Sequence, residues 1–276
     1  MITGRTRIAG VMGAPVTHSL SPLLMNSWIA AAGLDAAYLP FPALKDFSGS
    51  GFRALSQSGL AGLNITLPFK TLAAEIADTR SSSVEATGAA NLLIFSDGTI
   101  EARNTDIEGI HYALSQAGHG FKRRSVLVLG AGGVARAACA SARQDNASEL
   151  VVSNRTQANA DRLARDFDAR SVDWSERQMG AETADIIINA TSLGMDGRSS
   201  PDIDFTRCQN ETVVFDTVYT PARRPFTDSA RSAGLVVIDG LSMLIGQARP
   251  SFEALFGSNV PDSIDAETLL RKALGS

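Results

Sequence analysis

Five short, uninterrupted apolar runs recur through the second half of the chain: SVLVLG (125–130), ELVVSN (149–154), ADIIINAT (184–191), TVVFDTVY (212–219) and GLVVIDG (234–240). A strand that is apolar on successive residues is covered on both faces, and a parallel neighbour is reached only by a crossover long enough to hold a helix. The spacing therefore specifies an α/β unit on a parallel sheet, and five strands in about 115 residues suffice for a nucleotide-binding domain.

The first half repeats the alternation. RIAGV (7–11), SPLLMNSWIAAAG (21–33), AAYLPF (36–41), DFSGSGFRALSQSG (46–59) and GLNITL (62–67) read as strand, helix, strand, helix, strand. NLLIFSDGTIEARN (91–104) reads as a hairpin, because Asp97-Gly98 tolerates the positive φ of a tight turn. A helix over IEGIHYALSQAG (107–118) bridges the halves. Two last helical patterns, 242–257 and 265–274, have no strand of their own to cover and are expected to pack back on the first domain. The expected division is a substrate domain over 1–106 completed by 242–276, and a cofactor domain over 107–241, with the active site in the cleft between them.

Composition narrows the class. A chain of 276 residues that is 44% hydrophobic exceeds the usual single-domain size, which agrees with two domains. The net charge of −4 comes without a Lys/Arg block, so nucleic acid is not an expected partner. No apolar run suits a signal peptide or a membrane span, which makes the cytoplasm the expected compartment. Cys139 and Cys208 form no disulfide or zinc framework, the three histidines have no metal-ligand spacing, and no metal is expected.

Gly130-Ala131-Gly132-Gly133-Val134-Ala135 follows an apolar run and opens a small-residue helix, the setting a dinucleotide fingerprint requires. Gly130 permits the turn, Gly132 admits a pyrophosphate close to the backbone, and the helix N-terminus offers free N–H groups. A plain αβ turn without ligand is the competing reading. At the end of the next strand, where an acid would bind the ribose 2′-hydroxyl of NAD, the chain reads Ser153-Asn154-Arg155-Thr156. Arg155 can fork onto a phosphate and Thr156 can donate to it, so NADP is the expected cofactor.

Ser19 and Ser21 stand just before a Pro at a helix start, where they can cap the helix or bind a carboxylate. NITLPFK (64–70) delivers Lys70 at the C-terminal edge of a strand, where α/β sheets bind ligands. Asn91 and Asn104-Thr105-Asp106 add polar groups that strands have little reason to carry, although Asp106 also suits the N-cap of the bridging helix.

GAPVTHSLSP (13–22), NITLPFK (64–70), GAANLL (88–93), NTD (104–106), GAGGVAR (130–136), SNRT (153–156), NATSLGM (189–195), DTVYTP (216–221) and DGLSMLIGQA (239–248) occur in the order and spacing of shikimate dehydrogenases. The chain thus resembles that family over nearly its whole length. The resemblance implies a Rossmann-type NADP-binding domain beside the substrate domain, and NADP-linked interconversion of shikimate, a small carboxylated polyol, with 3-dehydroshikimate. It implies that Ser19 and Ser21 hold the carboxylate, that Thr66, Asn91, Asp106, Tyr219 and Gln247 contact the carboxylate or ring hydroxyls, and that Lys70 and Asp106 form the catalytic pair. It adds Thr191 and Gly240 to the cofactor contacts of residues 130–135 and 154–156. The expected assembly is a monomer or homodimer.

Chemistry supports the pair independently, since hydride loss from a secondary alcohol gives a ketone only if a base also takes the hydroxyl proton. Lys70 is assigned as that acid/base and Asp106 as hydroxyl ligand and orienting partner, with shared roles left open. Against the family pattern, Leu92 and Ile107 alter the pocket lining, Leu20 replaces a basic residue, Ser242 a glycine, and Asn159 an arginine that would reinforce phosphate binding. These departures keep open a paralogue acting on quinate or an aminoshikimate; a further alternative, an NADP-binding protein without catalysis, is opposed by the presence of both Lys70 and Asp106.

Overall fold

The computed structural model describes residues 2–195, 199–221 and 224–275. The chain divides into two compact units, one of residues up to Glu108 with Leu244–Ala273, the other of Gly109–Met243 with the residues from Leu274 on.

Unit 1 contains β1 (Arg7–Gly13), α1 (Ser21–Ala31), β2 (Ala36–Pro42), α2 (Gly49–Ser56), β3 (Gly62–Ile65), α3 (Lys70–Glu75), β4 (Thr79–Arg80), α4 (Ser82–Thr87), β5 (Leu92–Ser96), β6 (Thr99–Arg103) and the start of α5 (Asp106–Gln116). Its sheet runs β2-β1-β3-β5-β6-β4. The strands β1, β2 and β3 are parallel, while β5 is antiparallel to both β3 and β6. The β5–β6 hairpin turns at Asp97 (φ 49°) and Gly98 (φ 77°), the positive-φ pair expected from the dipeptide. One core joins Phe52, Leu63, Ile65, Phe69, Leu93 and Ile100, with Phe47, Phe52 and Phe69 meeting edge to face. Burying each such side chain contributes about 1.5–3 kcal/mol.

Unit 2 contains β7 (Ser125–Leu129), α6 (Gly133–Gln144), β8 (Glu149–Ser153), α7 (Gln157–Asp166), β9 (Arg170–Val172), α8 (Arg177–Thr183), β10 (Ile186–Asn189), β11 (Val213–Asp216), α9 (Pro225–Ser232) and β12 (Val236–Asp239). All neighbouring strands are parallel, in the order β12-β11-β10-β7-β8-β9. The chain winds from β7 out to β9 and then returns to β10 on the other side of β7, which makes the β7/β10 junction the topological switch point. Buried Ala135, Ala137, Ala138 and Cys139 let α6 lie close to the sheet. The helix α10 (Gly240–Phe256) passes from unit 2 into unit 1, and α11 (Ala266–Ala273) packs on α1. In unit 1, Trp28 of α1 meets Phe252 of α10 edge to face.

Several expectations are refined or corrected. The second sheet has a sixth strand, β9, whose three residues are too short to stand out as an apolar run. The first sheet carries the expected hairpin, so its β3–β5 and β5–β6 pairings are antiparallel while its other three are parallel. The strand before Lys70 is shorter than its apolar run: β3 stops at Ile65, the Phe69 N–H returns to the Thr66 carbonyl, and Lys70 opens α3 just beyond that C-terminal edge. Neither Ser19 nor Ser21 occupies the cap position of α1, which falls on Leu20; the Ser19 hydroxyl accepts the Ser21 N–H instead.

Candidate active site

Strand direction gathers the candidate residues of unit 1 at one sheet edge. β1 and β3 run outward to that edge, ending at Gly13 and Ile65, and register places the start of β5 and the end of β6 beside them, with Leu92 opposite both Asn64 and Arg103. The segments carrying Ser19 and Ser21, Thr66 and Lys70, Asn91, and Asp106 therefore all leave from the same edge. Two of these segments touch directly: the Ala14 N–H donates to the Leu67 carbonyl, and a Cβ on Gly13 would lie 2.4 Å from the Thr66 methyl carbon.

A buried polar cluster lies there. Lys70 Nζ is 2.5 Å from Asp106 Oδ2, with the lysine 8% and the aspartate 1% exposed. Such a pair is stable only if its remaining hydrogen-bonding capacity is met. Asn91 Nδ2 donates to Asp106 Oδ1 and to Gln247 Oε1, each at 3.0 Å. The Thr105 N–H donates to Asn91 Oδ1 at 2.7 Å, and since an N–H can only donate, it decides which way the Asn91 amide faces. That orientation turns the Gln247 oxygen toward Asn91 and leaves the Gln247 amide nitrogen without a partner among the described residues. Behind the cluster the Thr105 and Ser251 hydroxyls meet, Asn64 Nδ2 donates to Ser251 Oγ, and the Tyr38 hydroxyl donates to Asn64 Oδ1.

Asp106 is the first residue of α5 rather than its cap. Its N–H is taken by Asn104 Oδ1, and its carboxylate is spent on Lys70 and Asn91. Among the described residues the hydroxyls of Ser21 and Thr66 have no side-chain partner, and Lys70 has only Asp106. Unit 1 thus presents uncommitted donors from Ser19, Ser21, Thr66, Lys70 and Gln247 at one edge, a set matched to a ligand rich in oxygen acceptors. Leu92 and Ile107, next in the chain to Asn91 and Asp106, are buried at 0% and 8% exposure.

In unit 2 every strand ends at the edge that carries the cofactor candidates. Gly130 has φ +117°, and a Cβ there would lie 2.7 Å from the Ala190 carbonyl oxygen, so the turn itself requires glycine. Gly132, the N-cap of α6, has φ −88° and ψ −170°, and a Cβ would meet no atom within 4 Å. No described atom demands a glycine at Gly132, and its open backbone leaves room for a ligand to approach. Ala131, Gly133, Val134 and Ala135 complete the turn, and no acidic residue occupies the first turn of α6 to neutralise its N-terminus. At the end of β8, Asn154 Nδ2 donates to the Thr156 carbonyl, and Thr156 caps α7 without using its side chain. Arg155 is exposed and has no partner among the described residues, and the first turn of α7 is also free of acids. These residues fit NADP: an open anion-binding turn and, one strand away, a free guanidinium for a second phosphate.

Thr191 donates its hydroxyl to Asn189 Oδ1, and Gly240 packs so tightly that a Cβ would lie 2.3 Å from the Thr217 carbonyl oxygen. Tyr219 is half-buried in the loop after β11. Sequence reasoning missed Ser251 and Asn64 behind the polar cluster, and Asn189, Asp216 and Arg224 in unit 2. A polar residue closing an apolar strand, as in IIIN and VVFD, was the available signal for Asn189 and Asp216; Arg224 had none. Among the described residues no group of three or more His, Cys, Asp or Glu could hold a metal, and no helix is long and apolar enough to cross a membrane.

Residues 11–93 match the model of the shikimate dehydrogenase substrate binding domain, and residues 112–196 that of shikimate / quinate 5-dehydrogenase. A shikimate dehydrogenase (NADP(+)) of Maricaulis maris is 44% identical over 99% of both chains. Among solved structures, shikimate dehydrogenase from Aquifex aeolicus superposes with TM-score 0.89 at 32% identity, covering 98% of this chain and 100% of that one. The Thermus thermophilus enzyme, solved in complex with NADP(H) and shikimate, gives 0.86 at 31%, covering 97% and 100%. On identity that runs end to end, in sequence and in fold, the chain belongs to the shikimate dehydrogenase family.

Proposed function

We propose that this chain is an NADP-dependent shikimate dehydrogenase that interconverts shikimate and 3-dehydroshikimate, with unit 1 binding the substrate and unit 2 the cofactor, as a monomer or homodimer in the cytoplasm. The observation that carries the proposal is the buried cluster of Lys70, Asp106, Asn91 and Gln247. A secondary alcohol loses a hydride from carbon and a proton from oxygen, and NADP, when bound, supplies the hydride acceptor. The chain must then handle the proton. In alcohol oxidation the neutral Lys70 amine takes the hydroxyl proton on its lone pair; in ketone reduction the ammonium, which has an N–H to spare beyond Asp106, gives that proton back to the carbonyl oxygen. Asp106 holds the reacting hydroxyl and keeps the amine in place, while Asn91, oriented by Thr105, fixes both Asp106 and Gln247. The Gln247 amide nitrogen and the Thr66 hydroxyl donate to ring oxygens, and Ser19 and Ser21 hold the carboxylate without a buried cation.

The test follows nicotinamide absorbance with purified protein, NADP or NAD, and shikimate, quinate or an aminoshikimate. The proposal expects shikimate with NADP to turn over fastest. Faster turnover of quinate or the amino compound would reassign the substrate. Silence with all three alongside intact NADP binding would mean a protein without catalysis.

A further inference from the structure

Arg224 is 2% exposed, has been assigned no role above, and is among the largest fully buried side chains of the fold. Its Nε donates to Asp216 Oδ2 at 2.8 Å, and its Nη1 donates to the Pro221 carbonyl. Asp216, at the end of β11, is 1% exposed; its other oxygen accepts Asn189 Nδ2 at 2.8 Å and the Val218 N–H at 3.2 Å. Burial pushes the Asp216 carboxyl up, and the adjacent guanidinium opposes that push. Asn189 passes the link on. Its Oδ1 accepts both the Thr191 hydroxyl and the Thr191 N–H, and its carbonyl accepts the Thr217 N–H and hydroxyl. The Thr217 carbonyl is the atom against which Gly240 packs, and a Cβ on Gly194 would lie 3.8 Å from Arg224 Cδ.

One buried cation thus ties together the ends of two neighbouring strands, β10 and β11, after which come the loops that carry Thr191 and Tyr219. Stability alone does not account for it, because an apolar side chain of similar volume in place of a buried pair is often neutral or stabilising. Strand order says which part of the ligand those loops serve. Arg155, at β8, takes the adenosine side of a dinucleotide whose pyrophosphate sits on the β7–α6 turn; the other half then extends across β10 and β11.

We infer that Arg224 is a positioning residue: through Asp216 and Asn189 it holds Thr191, Thr217 and Val218, just beyond β10 and β11, in the arrangement that receives the nicotinamide half of NADP. This rests on the reading of unit 2 as the NADP-binding unit.

The test compares NADP with 2′,5′-ADP, which lacks the nicotinamide half, by titration calorimetry on the full chain, together with kcat, KM for NADP and Tm. In Arg224→Met, KM and Kd for NADP should rise about tenfold or more, the scale of a loop displaced by part of an ångström. Binding of 2′,5′-ADP should stay at the wild-type value, and Arg224→Lys should restore part of the NADP affinity. A folded Arg224→Met with wild-type KM and Kd for NADP overturns the inference, as does equal loss of NADP and 2′,5′-ADP. Should Arg224→Met fail to fold, Asp216→Asn with Arg224→Met removes both charges and is held to the same two outcomes. Wild-type protein that binds neither ligand would instead overturn the reading of unit 2.

Discussion

Gly132→Ala separates ligand binding from folding more cleanly than any other change in unit 2. The backbone at Gly132, φ −88° and ψ −170°, is open to any L-residue, and the added methyl meets no protein atom within 4 Å. The cost to the fold is then that of exchanging an N-cap glycine for alanine, at most about 1 kcal/mol. For a domain of this size that is about 2–4 °C in Tm. The cost to the cofactor is larger. A backbone N–H reaches a phosphate oxygen at about 2.9 Å, and a methyl on the same residue holds the phosphate off. Losing one hydrogen bond to a charged group costs about 1.5–3 kcal/mol, or about 10–100-fold in Kd for NADP. Gly130→Ala is the contrasting control: at φ +117° with a Cβ 2.7 Å from the Ala190 carbonyl, it strains the turn whether or not ligand is present. Fluorescence titration with NADPH and thermal melts of both variants make the measurement. Wild-type NADPH affinity in Gly132→Ala, or a Tm loss as large as that of Gly130→Ala, would refute the assignment of this turn to the pyrophosphate.

Lys70→Ala should lower kcat by about 10²–10⁴ with little change in NADP affinity; because it leaves the Asp106 carboxylate buried without its amine, turnover is read per folded molecule, and retained turnover would remove Lys70 from proton transfer. Arg155→Ala should weaken NADP by about tenfold or more through loss of a charge-assisted bond to the 2′-phosphate, while NAD binding hardly changes; equal weakening of both would end that assignment.

The parallel sheet of unit 2 was legible because its strands are apolar on both faces, and the hairpin of unit 1 because Asp97-Gly98 is a local instruction. β9 was not legible, since three half-exposed residues carry no periodic signal and pair only because β8 offers an edge. Lys70 and Asp106 stood out as chemical types in recognisable motifs. Their meeting was implied by the family resemblance and not by any local pattern, because it depends on β6 running antiparallel to β5 and returning the chain to the edge where β3 ends.

Periodicity, glycine placement and the missing acid after β8 are carried by neighbouring residues, and these were enough to specify the fold class and to point to a dinucleotide turn and to NADP. The protonation partner of Lys70, the orientation of the Asn91 and Gln247 amides, and the clamp of Arg224 on Asp216 join residues that sequence distance keeps apart. Only the folded chain could decide them, since a buried polar group takes whichever partner packing brings within reach, and that choice is made by strand order and burial rather than by any local pattern.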